Sequence, residues 1–509
     1  MLERPLPQIC MALAGLLWTG PARAQWTHLA GDAAHSALAE RAARDLDTVR
    51  WSAAPFADEQ YVWHASPVVH DGRVFVSARH YDPNCIQDGN LLIAYDIFDG
   101  SRRWSAALPG DDWGSWSSPA VDTRHDTVLI ATGQTLSALD CATGNMVWQT
   151  ALGAEVVNAS PVVTTDLFHE ASPANRVFVT DYSGYGSAGT LYAVNTDPDS
   201  ADNPYQPGQI VWTATLPGTS GNTPAYHDGV VYVASTGGVV AAFEAAEGGL
   251  LWQTAVDLAG FPPGSGFFGG LCYQGGFLYL ALYAFHGISN SAGLYKLDAA
   301  TGEIVWMVPC ERSDSIPVVT GDGRIYLSAG IAGYGSAPRL QAFQDHGDYA
   351  TLLWDTFADT GGSLIVGGWT HQPAFSRGYL YVGTPQQQSE EFFLPYTDFY
   401  ILNPAVSPAD QGFVVAHLAG CGGPPAVADA ALYSIGTAGL LAIEPSPACL
   451  ADIDGDGTVG LTDLAALMVA HGSVRGEESF SSGADLDRNG IIDLADLAAL
   501  IAVYGEPCP

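Results

Sequence analysis

Between residues 25 and 446 of this chain one pattern recurs eight times, and that recurrence constrains the fold more than any other feature. Each copy reads small residue, proline, two apolar residues, a turn, an alternating apolar strand, a second turn and a closing strand. The openings are "ASPVVHDGRVFVSA" at 65, "SSPAVDTRHDTVLIA" at 117, "ASPVVTTD" at 159 and "TPAYHDGVVYVAS" at 223. They continue with "GGLCYQGGFLYLAL" at 269, "SIPVVTGDGRIYLSA" at 315, "HQPAFSRGYLYVGT" at 371 and "PPAVADAALYSIGT" at 424. Closing strands carry Trp104, Trp148, Trp212, Trp252, Trp306 and Trp354; the seventh, "GFVVAHLAG", has no tryptophan. The eighth unit stops one strand short at "GLLAIEPS", while an orphan closing strand, "TVRWSAA" with Trp51, precedes the first. A ring resolves this: the first strand completes the last sheet, and closure removes the edges that would template aggregation. A unit of about four short strands cannot bury both faces without neighbours. The expected fold is therefore all-β, an eight-bladed propeller, with a small all-α module after it.

The motifs "AYDIFDGSRRW" (94–104), "ALDCATGNMVW" (138–148) and "KLDAATGEIVW" (296–306) resemble the tryptophan-docking repeat of the pyrroloquinoline quinone (PQQ) family of eight-bladed propellers. The resemblance implies that each indole packs between adjacent blades, with a glycine four residues earlier permitting close stacking at the turn. These tryptophans are then structural. Dehydrogenases of that family typically carry an adjacent Cys-Cys pair and a set of Glu, Asn and Asp around a catalytic calcium. Here no two cysteines are adjacent, and the single lysine, Lys296, sits inside a docking motif. No PQQ is expected. There is no Gly-x-Ser-x-Gly elbow, His-Glu-x-x-His motif or glycine-rich phosphate loop, so no catalytic residue is assigned.

The segments before each blade's first strand lie near the mouth of a propeller's channel. They place Tyr61, Trp63, His64, Trp113, Trp116, Phe267, Phe268, Trp369 and His371 around one rim, with Asn158, Asn222, Arg312 and Asp314 as polar partners. Aromatic platforms beside amides and acids suit a glycan or an extended peptide. The expected ligand-binding residues are Trp63, His64, Trp113, Trp116, Phe268, Trp369 and His371. The other role open to such aromatics is to plug the channel, and the two histidines also suit hydrogen-bonded structural positions.

The C-terminus carries "ADIDGDGTVGLTDLAAL" and, about thirty residues later, "ADLDRNGIIDLADLAAL". Acids at loop positions 1, 3, 5 and 12 with glycine at 6 fit a hard cation with oxygen ligands. Two calcium ions are expected, one at Asp452, Asp454, Asp456, Thr458 and Asp463, the other at Asp485, Asp487, Asn489, Ile491, Asp493 and Asp496. The prolines of "IEPSPACL" forbid an incoming helix. Such EF-hand-like loops, duplicated, with Asp at position 12, resemble the type I dockerin family over residues 449–509. Cys449 and Cys508 stand just outside the module's ends, placed to clasp it by a disulfide. Dockerins usually meet a cohesin through hydroxyl residues at loop positions 10 and 11; here these are Leu461 and Thr462, then Leu494 and Ala495. A cohesin-like or cell-surface protein is the expected partner.

Residues 1–24 read as a signal peptide: one arginine, Arg4, then an apolar run from Ile9 to Trp18 too short to span a bilayer, and Ala22, Arg23 and Ala24 as a small-x-small cleavage site. The expected domains are thus 1–24, the propeller at 25–446 and the module at 449–509, in a secreted or cell-surface protein. With 54 acidic against 18 basic residues, the net charge of −36 repels phosphate backbones and anionic lipids. No nucleic acid and no membrane is expected as a partner. The expected function is a secreted, non-catalytic binding or scaffold propeller with a calcium-dependent docking module. The alternatives are an O-glycosyl hydrolase or accessory protein of polysaccharide breakdown, and a PQQ-dependent dehydrogenase.

Overall fold

The computed structural model describes residues 26–508 except 41, 111–114, 165–174, 185–187, 285–289, 333–335, 386–394, 429, 475–476, 478, 482 and 488. The expected signal peptide and Trp113 lie outside the described residues. In the second blade, strands Ala120–Asp122, Thr127–Thr132, Thr135–Asp140 and Met146–Ala151 pair antiparallel in that order. The inner two are buried on both faces, because the neighbouring blades cover them. The outer one alternates, one face covered and one in water. Seven further sheets repeat the plan. In the eighth, Thr48–Ala53 pairs antiparallel with Gly439–Glu444, Trp51 opposite Ala442, so the N-terminal strand closes the ring as expected.

Each indole docks across a seam. Trp104 donates from Nε1 to the Cys141 carbonyl of the following blade at 3.0 Å and lies flat on Gly144. Trp51 does so on Ile97 and Gly100, Trp212 on Ala245 and Gly248, and Trp252 on Ala299 and Gly302. The glycine four residues before a tryptophan thus receives the previous blade's indole, not its own. Blade six lacks the Thr-Gly turn, and there Trp306 donates to the Asp345 carboxylate, which also takes Lys296 at 2.8 Å. A Cβ at Gly144 would meet the Trp104 ring at 2.6 Å, on backbone held at φ +72. Gly144→Ala is therefore expected to cost about 2–4 kcal/mol. Gly378→Ala, at φ +89 but facing open space, should cost only about 1 kcal/mol. Thermal denaturation of the two variants checks the difference.

Near the axis the residues before the repeated prolines form a hydroxyl ladder. The Ser66 N–H donates to Ser118 Oγ at 2.8 Å, Ser118 N–H to Ser160 Oγ at 2.9 Å, and Ser160 N–H to Thr223 Oγ1 at 3.1 Å. A strap ahead of the closing strand crosses blade after blade. Trp26 bridges Val69; the carbonyls of Thr27, Ala33, Ala34 and Ala37 accept from Val121, Tyr226, Tyr273 and Phe375; and His28 Nε2 accepts from Val163 N–H at 3.0 Å. Leu38–Ala39 then runs parallel to Ala374–Ser376, and Ala42 bridges Ala430. Seven of the eight blades are tied this way, six through backbone groups of the strap and the third through the His28 imidazole, none of which a repeat pattern encodes.

After Glu444 the chain forms helices Pro447–Ala451, Leu461–Ala470 and Leu494–Ala502. The first corrects the expectation of no incoming helix. Pro447 occupies its opening position, where a missing N–H costs nothing and the fixed φ suits a helix, so proline starts this turn and does not forbid it. Cys449 and Cys508 are joined by a disulfide.

Candidate functional site

The two acidic loops are built alike. Asp452, Asp454 and Asp463 bring one carboxylate oxygen each to within 4.8 Å of one another, and Asp485, Asp487 and Asp496 do the same. Backbone N–H groups hold the geometry: Gly457 donates to Asp452 Oδ2 at 3.2 Å and Gly490 to Asp485 Oδ2 at 3.0 Å. Asp463 accepts from Asp454 and Gly460, and Asp496 from Asp487 and Asp493, so the acid at position 12 also caps its helix. The glycine at position 6 has φ +95 in the first loop and +86 in the second, which frees its N–H to turn inward. Each helix end pairs with the other loop. Gly472 and Ser473 bond to Ile492, and Gly505 and Glu506 to Val459.

The remaining expected ligands do not join these trios. Asp456 Oδ1 accepts from Thr458, Asn489 Oδ1 from the N–H of Ile491, and Asp493 Oδ1 from that of Ala495. Asp463 and Asp496 are fully buried, and Asp452 and Asp485 nearly so. Burying carboxylates this close together costs several kcal/mol each unless a counter-charge enters. An all-oxygen set with open positions on its exposed side fits calcium.

At the channel mouth the expected ligand-binding aromatics pack on one another. Trp369 stacks on Tyr283 at 5.0 Å, Trp116 meets Trp369 edge-on at 5.6 Å, and Phe268 meets Tyr283 at 5.8 Å. His64 lies 5.1 Å from Trp116, with Nδ1 2.7 Å from Thr370 Oγ1. Trp63 is half-buried against the seam between the eighth and first blades. Tyr61 and Phe267 leave the rim altogether: Tyr61 bonds Tyr95 and the Ala53 carbonyl, and Phe267 packs on Tyr295. Asn222 accepts from Ala234, and Arg312 donates to the Ala284 carbonyl, both fully buried. Tyr283, Thr370 and Tyr396 complete the plug. Sequence reasoning missed Tyr283 and Tyr396 because they sit in strands, where alternation reads them as core.

Below the plug an axial cavity of about 50 Å³ is lined by Ser118, Asn158, Ser160, Thr223, Asp314 and Gln372, among others, and floored by Leu29 of the strap. With no counter-charge beside it, burial pushes the Asp314 carboxyl well above the usual carboxylate range; a cation in the cavity would oppose that shift and favour the ionised form.

Two buried histidines are committed to the neutral form. His28 and His371 accept backbone N–H groups at Nε2, and burial pulls each down to about 3. Their unfolded counterparts titrate near 6.5. As pH falls below that value the unfolded chain takes up protons that the folded chain refuses. Stability is then full above 6.5 and lost progressively towards pH 3. Each histidine should cost about 3 kcal/mol at pH 4. Denaturant melts at pH 7 and pH 4 read this, and His371→Gln should remove about 3 kcal/mol of the difference.

A family model described as outer membrane protein assembly factor BamB matches residues 44–205, 189–261 and 237–390. The chain is 27% identical over 237 residues to the tetrathionate hydrolase of Acidithiobacillus ferrooxidans, a stretch covering 43% of this chain and 40% of that protein. The match therefore spans less than half of that relative's length. The fold is similar to that of BamB from Moraxella catarrhalis, with a TM-score of 0.52 and 16% identity over 77% of this chain and 99% of that one. It is also similar to the quinohemoprotein alcohol dehydrogenase ADHIIG of Pseudomonas putida HK5, with a TM-score of 0.55 and 12% identity over 81% and 75%. The corresponding enzyme of Comamonas testosteroni gives 0.53 and 14% over 81% and 76%. At these identities the structural likeness concerns the fold alone.

Proposed function

Because the chain belongs to the PQQ-like repeat family whose model is described as outer membrane protein assembly factor BamB, we propose that it is an exported, non-catalytic binding or scaffold propeller. Residues 25–446 form the binding body, and residues 449–509 are a dockerin-like docking module that takes two calcium ions. The observation that carries this reading is the pair of aspartate trios, converging in one register in both loops. The self-packed mouth supports it too: Trp369 stacks on Tyr283 and Trp116 meets Trp369 edge-on, so these aromatic faces cover one another above a cavity of about 50 Å³. The partner of the module is a cohesin-like or cell-surface protein, met through the exposed faces of Leu461–Ala470 and Leu494–Ala502. Leu461 and Leu494, both largely exposed, replace the hydroxyl residues of dockerins there and favour an apolar counterpart. The rim of the propeller takes a glycan or a peptide. Capture from the native secretome on the full chain, with calcium and with chelator, tests the module; calcium-independent capture overturns it. A glycan array with product analysis tests the rim, and released sugars would point to the O-glycosyl hydrolase class instead.

A second reading is a PQQ-dependent dehydrogenase. It is favoured by the oxygens of Asn158 and Asp314 at the axial cavity and by the fold of the quinohemoprotein enzymes. Dye reduction with an alcohol after addition of PQQ and calcium would establish it. No reduction, with no quinone absorbance retained after gel filtration, would remove it.

A further inference from the structure

The axial cavity has a built interior that the scaffold reading does not use. It lies between the strap, through Leu29, and the plug, through His64, Trp116 and Thr370. Oδ1 of Asn158 and Oδ1 of Asp314 are both buried and meet no hydrogen-bond partner among the described residues. Both line the cavity, Asn158 from the entry to the third blade and Asp314 from the entry to the sixth. Leaving two buried acceptors unsatisfied is costly, and most costly for a carboxylate. The hydroxyl oxygens of Ser118, Ser160 and Thr223 each accept one backbone N–H and keep a second lone pair for the cavity. The lining is thus rich in oxygen acceptors and contains no Lys or Arg.

We propose that this cavity binds one monovalent alkali cation, sodium or potassium, through Oδ1 of Asp314, Oδ1 of Asn158 and hydroxyl oxygens of the axial ladder. The charge count selects the valence. Asp314 is the one carboxylate of the lining, so a singly charged ion leaves the site neutral, whereas a divalent ion would leave an uncompensated positive charge in a low-dielectric interior. The volume suits an ion with about two waters. Its effect is a cross-brace: one ion ties the third blade to the sixth, which share no sheet.

The test uses the full chain with chelator present, so that the C-terminal loops do not contribute. A crystal soaked in thallium(I) should show an anomalous peak between Asn158 and Asp314. The melting temperature of the propeller should rise in sodium or potassium chloride relative to choline chloride at equal ionic strength. Asp314→Asn, which keeps the shape and removes the charge, should lose both signals. Asn158→Asp adds a second carboxylate, and in that variant calcium without chelator should displace thallium from the axis. Absence of the thallium peak in the unaltered protein overturns the proposal, as does an alkali-dependent shift that survives Asp314→Asn. Preference of the unaltered axial site for calcium over thallium overturns the charge count, and with it the monovalent assignment.

Discussion

Deletion of residues 48–54 is expected to make the protein aggregate. Two closures vanish together. The strand Gly439–Glu444 loses its partner along the whole of Thr48–Ala53 and becomes an open sheet edge. The seam between the eighth and first blades loses Trp51, whose indole covers Gly100 and donates to the Ile97 carbonyl. Trp51→Ala removes only the second closure and should cost about 3–5 kcal/mol while the protein stays soluble. Size-exclusion chromatography and thermal melting separate the two cases. A deletion variant that elutes as a monomer with an unchanged melting temperature would mean that the ring is closed elsewhere.

Chelation of calcium is expected to unfold residues 449–508 and leave the propeller untouched. The module is small, and its core is a handful of residues such as Leu467, Phe480, Ile492 and Leu500. So small a core holds only a few kcal/mol in reserve. Calcium at about a thousand times its dissociation constant adds roughly 4 kcal/mol per site, so removing two ions exceeds that reserve. Hydrogen exchange on the whole chain reads it directly. The N–H groups of Val459 and Ile492, which bond across to the opposite helix end, should lose protection on chelation, while those of the inner propeller strands keep theirs. Because the disulfide holds the two ends together, the unfolded module remains a closed loop and should refold when calcium returns. Equal protection with and without chelator would reduce the loops to acidic turns. Asp463→Ala and Asp496→Ala, made singly, should each mimic the loss of one ion.

What the sequence disclosed follows from what repeats. Trp104 and Gly144 belong to motifs present in several copies, so their spacing gave the blade count, and the orphan Trp51 gave the direction of closure. The strap had no such signature. Thr27, Ala33 and Ala34 bond blades far away in sequence through backbone carbonyls, and nothing in their identity distinguishes them from a loop; His28 does so through its imidazole, with no repeat to mark it. The docking glycines were legible as turn residues but not as the seat of the preceding blade's indole, since that pairing is set by the radial order of blades. At the mouth, composition pointed to aromatic residues yet could not say whether their faces meet a ligand or each other; Trp369 and Tyr283 meet each other. In the acidic loops the register pointed to positions 1, 3, 5, 7 and 12; the carboxylates at 1, 3 and 12 converge, while Asp456 and Asn489 accept from the N–H groups two residues on, as Asp454 and Asp487 also do.

The way the ring is closed also orders the steps by which it can form. Trp51 pairs opposite Ala442, ~390 residues later, so the closing strand is made first and waits for the whole propeller before it finds a partner. The strap ahead of it must wait as well, since it lies across blades made after it. During synthesis no complete ring exists, and each docking tryptophan lacks the next blade's glycine until that blade has appeared. The last event is therefore the return of the N-terminus, a long-range contact that makes final closure slow and leaves the incomplete ring exposed to chaperones or to wrong partners until it happens.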